Sequence, residues 1–209
     1  MSNEVPEFGW TTERPECSAP YIVPVLRRLA GLTPAPARVL DIGCGNGYNA
    51  GQYQSWGYDV TGVDISTEGI RIAREQYPEV RFEDMPIGED LLERLGAEPF
   101  DLASSTEVVE HLYDPHAWAA AAYTALKPGG HFIVSTPYHG YLKNLTIALT
   151  GGFDTHYDAL RTGGHIKFFS NSTLQTLLEG AGFTDFTFVG AGRAPKLWKS
   201  ILVRCRKPA

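Results

Sequence analysis

Residues 39–54 read VLDIGCGNGYNAGQYQ, an apolar run closed by an aspartate and followed by four glycines spread into a helix-like stretch. A strand that passes straight into a helix through Gly43, Gly45 and Gly47 uses glycine for a tight turn and for close approach of a ligand to the backbone. The start of the following helix presents unpaired N–H groups, a common ligand position in α/β folds. A dinucleotide fingerprint would read G-x-G-x-x-G and seat a pyrophosphate there. Here the run is Gly43-Cys44-Gly45-Asn46-Gly47 behind Asp41. A carboxylate at Asp41 repels pyrophosphate and suits a ligand bearing an ammonium or sulfonium. No lysine follows, which excludes the phosphate loop of nucleoside triphosphatases. A bare structural turn is the plain alternative, but it needs neither Asp41 nor three alternating glycines. Cys44 reads as a small filler, since no activating base is apparent beside it.

Outward from this turn the chain alternates β-rich runs with helical patterns. RVLDIG (38–43), DVTGVD (59–64), VRFED (80–84), FDLASST (100–106) and GHFIVSTPY (130–138) read as strands, and 46–56, 66–77, 88–96 and 114–126 as helices. Ser66 and Asp114-Pro115 are helix-start signals, and LKPGG (126–130) ends a helix and turns the chain into the next strand. Such alternation predicts a parallel sheet covered by helices on both faces, an α/β sandwich. A further helix at 171–180 precedes two β-like runs, 183–191 and 197–206, which predict a hairpin adding an antiparallel strand to the sheet. The segment 139–169 is long for a connection and reads as a lid or binding insert. Residues 1–37, with one helix near 20–30, read as a flap, where Trp10 and Tyr21 are candidates to close over the site. The whole of 1–209 is expected to form one domain.

Composition narrows the function classes. Eighteen basic against 24 acidic residues give a net charge of −6, which argues against nucleic acid as a partner and favours a small-molecule substrate. Three cysteines without a C-x-x-C indicate neither a disulfide framework nor a zinc knuckle. No apolar run approaches the roughly 20 residues of a membrane span, and the polar start is no signal peptide, so a soluble, cytoplasmic protein is expected.

Two more carboxylates end strands. Asp64, about 20 residues past the glycine turn, occupies the position that binds ribose hydroxyls in nucleotide-binding sheets, with a helix cap as the alternative. Asp84 would reach the adenine side with Met85 packing on the ring, or be a loop aspartate. After the fourth strand, STEVVEHLYDP carries Glu107, Glu110 and His111 as E-x-x-E-H. In a helical turn Glu107 lies beside both others, and carboxylates with imidazole suit Mg²⁺, Mn²⁺ or Zn²⁺; His165 is a fourth candidate ligand. Without a metal, His111 is the candidate general base. The plain alternative is that Glu110 caps and His111 touches cofactor or core. In the insert, Tyr138, His139, Tyr141, His156 and Tyr157 suit a small aromatic acceptor, or else pack the loop.

Taken in order, VLDIGCGNG, VTGVDIS, EDM, EVVEHLYDP and LKPGGHFIVSTPY resemble the class I S-adenosylmethionine-dependent methyltransferases, over about residues 38–183. The resemblance implies a Rossmann-like three-layer sandwich with seven strands in the order 3-2-1-4-5-7-6, the last antiparallel. It implies S-adenosylmethionine as cofactor, held by Asp41, Gly43, Cys44, Gly45, Asn46, Gly47, Asp64, Ile65, Asp84, Met85 and Thr106. E-x-x-E-H with a later histidine is similar to two branches, the ubiquinone-pathway O-methyltransferases and the small-RNA 3′-end 2′-O-methyltransferases. The expected activity is methyl transfer to a small molecule, most simply to an oxygen of a phenolic or quinone-like metabolite. N- or C-methylation, RNA 2′-O-methylation, an NAD-binding Rossmann domain and a non-catalytic cofactor-binding module are the alternatives.

Overall fold

The computed structural model describes residues 9–10, 12–157, 160 and 163–209. Residues 1–8 and 11 of the expected flap, and 158–159 and 161–162 of the expected lid, lie outside them. One sheet holds seven strands in the order β3-β2-β1-β4-β5-β7-β6. These are β1 (Arg38–Ile42), β2 (Asp59–Asp64), β3 (Arg81–Asp84), β4 (Phe100–Thr106), β5 (Leu126–Pro137), β6 (Thr184–Ala191) and β7 (Ser200–Arg206). β1 to β5 pair in parallel, and β7 runs antiparallel between β5 and β6, as the hairpin reading required.

The strands read as nearly continuous apolar runs because both faces are buried. Side chains alternate across a strand, so neighbours feed different cores. Leu40, Ile42, Phe132, Val134, Ile201 and Val203 enter one apolar cluster, while Val39, Leu102, Ile133 and Leu202 enter the other. Three helices cover the second cluster: α1 (Ala19–Ala30), α2 (Tyr48–Ser55) and α3 (Thr67–Gln76). The first cluster is covered by α4 (Leu91–Leu95), α5 (Pro115–Ala125) and α8 (Asn171–Gly180). Between β5 and α8 the insert forms two short helices, α6 (Tyr141–Leu149) and α7 (Phe153–Tyr157), which pack on each other.

The caps legible in sequence are made. The Ser66 hydroxyl accepts from Gly69 N–H at 3.1 Å, and the Asp114 carboxylate accepts from His116 and Ala117 N–H. The largest boundary difference from expectation is at the start of β5. β5 begins at Leu126, not Gly130, because Leu126 already pairs with Phe100 and the register slips before Leu102 pairs with His131. Gly129, at φ 79°, carries the resulting bulge, and its N–H bonds the Lys207 carbonyl at 3.0 Å. Among the described residues no helix is long and apolar enough to cross a membrane.

Registers Ile42↔Val63, Asp64↔Asp84 and Thr106↔Ser135 align the carboxyl ends of β1 to β5 along one edge. α/β sheets place their ligands along that edge.

Candidate active site

A cleft of about 450 Å³ opens over this edge. Its floor is the glycine turn. Gly43, at φ 75°, lies so close to Val108 that a Cβ there would meet the valine methyl at 2.5 Å. Gly45 is covered by the Trp10 ring and donates its N–H to Asp64 Oδ2 at 2.8 Å. Gly47 starts α2 at φ 78°, and a Cβ would fall 2.7 Å from Ala73 Cβ and 2.8 Å from Phe82 Cζ. Gly47→Ala is therefore expected to cost about 2–5 kcal/mol through the left-handed backbone and the overpacking. Thermal denaturation should register this as a fall in Tm of about 5–15 °C, and a change below about 2 °C would contradict it.

Of the residues expected to hold the cofactor, Gly43, Cys44, Asn46, Asp64, Ile65 and Thr106 line the cleft. Asn46 also ties the N-terminal segment to the turn, its Nδ2 donating to the carbonyls of Thr12 and Arg14. Burial pushes the Cys44 thiol up, which keeps it protonated and inert. Asp64 receives a second bond from Ser66 N–H at 2.8 Å. Beneath the turn Asp41 is buried, and neither carboxylate oxygen has a partner. Burial, with the nearby Asp64 charge, raises its pKa to about 7. Asp84 and Met85 fall elsewhere: Asp84 accepts the Thr67 hydroxyl at 2.7 Å and Met85 packs into the first core. Pro86 and Ile87 form the cleft wall there instead. Tyr48, Asn49 and Leu112 line the cleft and carry no motif that singles them out. Asn49 Nδ2 donates to Thr106 Oγ1 at 2.6 Å.

E-x-x-E-H does not close as one helical turn. Glu107 takes φ 55°, and the short 3₁₀ turn begins only at Val109, running to His111. That left-handed residue turns the Glu107 carboxylate onto β5 and β7, outside the set of converging ligand atoms that Glu110, His111 and His165 form. Its carboxylate accepts from Ser135 Oγ at 2.8 Å and Ser200 Oγ at 3.2 Å. Burial raises its pKa to about 7. Glu110, His111 and His165 do converge, offering ligand atoms within 4.8 Å of one another. Glu110 is buried, accepts from Thr136 Oγ1 at 2.9 Å, and has its carboxyl pushed well up by burial and by Glu107. Its carbonyl accepts from Ile166 and Lys167 N–H, which brings the His165 loop onto the turn. His111 Nδ1 lies 3.3 Å from the Gly164 carbonyl. A carbonyl only accepts, so Nδ1 carries the proton of the neutral ring and Nε2 is its unprotonated nitrogen.

The aromatic residues of the insert separate. Tyr157 lines the cleft, stacks on His139 and bonds Asn144 through its hydroxyl. His139 stands behind it against Phe168 and His156, and His156 also meets the Tyr157 ring edge-on. Tyr138 packs on Trp198 and on the first core, and Tyr141 is 78% exposed; neither lines the cleft. Nearer the N-terminus Trp10 lines the cleft, while Tyr21 packs against the second core beside Lys199.

This strand order, with a glycine turn and an acid-lined cleft at its carboxyl edge, defines the class I S-adenosylmethionine-dependent methyltransferases. The methyltransferase-domain family model matches residues 17–187, and the chain belongs to that family. It is 29% identical over 191 residues to a ubiquinone biosynthesis O-methyltransferase of Psychrobacter arcticus, covering 88% of this chain and 72% of that one. It is 30% identical over 172 residues to the protein of the same name from Aromatoleum aromaticum, covering 80% and 72%. It spans less of others, such as 44% of the Acinetobacter baylyi protein. Among solved structures, an S-adenosylmethionine-dependent methyltransferase of Archaeoglobus fulgidus shares the fold at TM-score 0.66 and 19% identity, over 89% of this chain and 93% of that one. The Burkholderia thailandensis 1,6-didemethyltoxoflavin-N1-methyltransferase, solved with its acceptor and S-adenosylhomocysteine, does so at 0.63 and 22%, over 89% and 77%. The chain is an S-adenosylmethionine-dependent methyltransferase.

Proposed function

We propose that this enzyme methylates an oxygen of a small phenolic or quinone-like acceptor. One observation carries the choice: Glu110, His111 and His165 converge beside the cleft that opens over the glycine turn. The ubiquinone-pathway names of the relatives support the same acceptor class. We read residues 1–209 as one domain, with 1–37 as a flap and 139–169 as a lid. The cofactor fits the residues present. Asp41, a buried carboxylate with both oxygens unpartnered, suits the cationic methionine end, and Asp64 suits the ribose. Ile65, Pro86 and Ile87 offer the apolar wall for the adenine.

In the transfer the S–CH₃ bond breaks as the O–CH₃ bond forms, and sulfur leaves as a neutral thioether. With no ion on Nε2, the hydroxyl proton would pass to His111; with Nε2 ligating an ion, the hydroxyl's pKa would be lower and the proton would leave to water. Orientation of oxygen, methyl and sulfur in line supplies much of the rate. Glu110, His111 and His165 also have the mixed oxygen and nitrogen donors of a divalent-ion site, and a bound ion would lower the acceptor hydroxyl's pKa. Glu107, bonded by two serines, would shape that wall rather than ligate. The test is transfer of labelled methyl to catechol, with the product identified by mass spectrometry. The expected product is the mono-ether, formed at least about tenfold slower in EDTA and restored by Mg²⁺, Mn²⁺ or Zn²⁺. Label on nitrogen or carbon acceptors alone would overturn the oxygen assignment; an unchanged rate in EDTA would remove the ion.

A further inference from the structure

The lid helix α6 is inverted. Its only buried residue is Lys143, 7% exposed, while Tyr141, Leu142, Leu145 and Leu149 face outward. Burying an ammonium costs free energy unless something neutralises it. Among the described residues no carboxylate comes within 4.0 Å of Lys143. Glu107 is the acid that faces it, but both Glu107 oxygens are taken by serine hydroxyls. The other groups around it add no negative charge. Arg193, from the β6–β7 loop, acts on Lys143 as a like charge, and His139 and His156 feel Lys143 in the same way. His139 is itself buried, with Nδ1 lacking any partner. A buried ammonium near a buried imidazole nitrogen without a partner lacks one thing, an anion.

We propose that Lys143 and His139 form a subsite for an anionic group, a carboxylate or phosphate, carried by the methyl acceptor. The proposal rests on the reading of 139–169 as the lid over the acceptor. Tyr157 joins this group to the cleft, since its ring stacks on His139 at 5.7 Å between centroids and it lines the cleft. Burial and Arg193 push the Lys143 ammonium down to about 8, which leaves it mostly charged at neutral pH. His139, held to about 4 chiefly by burial, stays neutral there. Lys143 then supplies the charge and His139 a directional hydrogen bond, the pairing that fixes one end of a planar acceptor.

The experiment uses the full chain saturated with S-adenosylhomocysteine and calorimetric titration of benzoate, benzyl alcohol and inorganic phosphate. Benzoate has no hydroxyl to methylate, so it probes the subsite apart from the chemistry. Benzoate is expected to bind at least about tenfold more tightly than benzyl alcohol, the scale of one charge-assisted hydrogen bond. Lys143→Met should erase that preference, and Lys143→Arg should keep most of it. S-adenosylhomocysteine affinity within about twofold of the parent serves as the folding control. Equal affinity for benzoate and benzyl alcohol, or a preference surviving in Lys143→Met, overturns the subsite. Inorganic phosphate binding as tightly as benzoate overturns its assignment to the acceptor. A Lys143-dependent benzoate preference without methyl transfer to any phenol leaves the subsite standing and removes the phenolic reading.

Discussion

His111→Ala is expected to lower kcat for catechol methylation by about 10²–10³-fold while leaving S-adenosylhomocysteine affinity within about threefold. The expectation follows from position and tautomer. His111 sits on the 3₁₀ turn after β4, lines the cleft, and is oriented by the Gly164 carbonyl so that Nε2 is the basic nitrogen. Removing the ring removes the proton acceptor, or a ligand of the ion, without touching the glycine turn. His111→Asn restores a polar side chain but no base, and should remain as slow. Single-turnover rates with cofactor and acceptor both saturating isolate the chemical step. A rate within about threefold of the parent would assign His111 to packing alone.

Cofactor binding should strengthen by about tenfold between pH 6 and pH 8, and Asp41→Asn should abolish that slope and weaken binding by about 10–100-fold. In the empty site burial holds the Asp41 pKa at about 7, above its ordinary 3.8. A cationic ligand favours the ionised carboxylate, so binding releases a proton and tightens as pH rises through 7. The sign for stability is opposite. The ligand-free folded state keeps the proton more firmly than the unfolded chain, so stability falls as pH rises from about 4 to 7. The size of that loss is roughly 4 kcal/mol if the shift is taken at face value. Asp41→Asn should therefore raise the Tm of the ligand-free protein at pH 8 even as it weakens the cofactor. Calorimetric titration and thermal melts across pH 5–8 check both sides; a flat binding profile in the parent would refute the role.

Much of the architecture was legible because it is written in local chemistry. The apolar runs of β1, β2 and β4, the Ser66 and Asp114 caps, and the glycines at 43, 45 and 47 each obey short-range rules. The hairpin of β6 and β7 followed from two β-rich runs joined by a short loop. The site was less legible wherever a side chain's direction depended on one backbone angle. Glu107 was expected beside Glu110 and His111, and φ 55° sends it to Ser135 and Ser200. Asp84 and Met85 were expected at the adenine end, and it is the next two residues, Pro86 and Ile87, that line the cleft. Tyr138 and Tyr141 looked like acceptor contacts, yet Trp198 takes the first and solvent the second.

The sequence alone determined the alternation of strands and helices, the closing hairpin and the glycine turn behind Asp41, because these depend on residue type and spacing; the strand order and the cofactor followed from the resemblance its motifs carry. The tertiary structure decided which side chains meet. Only packing could bring His165 across more than 50 residues to His111, bury Lys143 on a helix that exposes its leucines, and leave Asp41 unpartnered beneath the turn. Those encounters depend on long-range contacts and desolvation, which spacing along a chain does not encode.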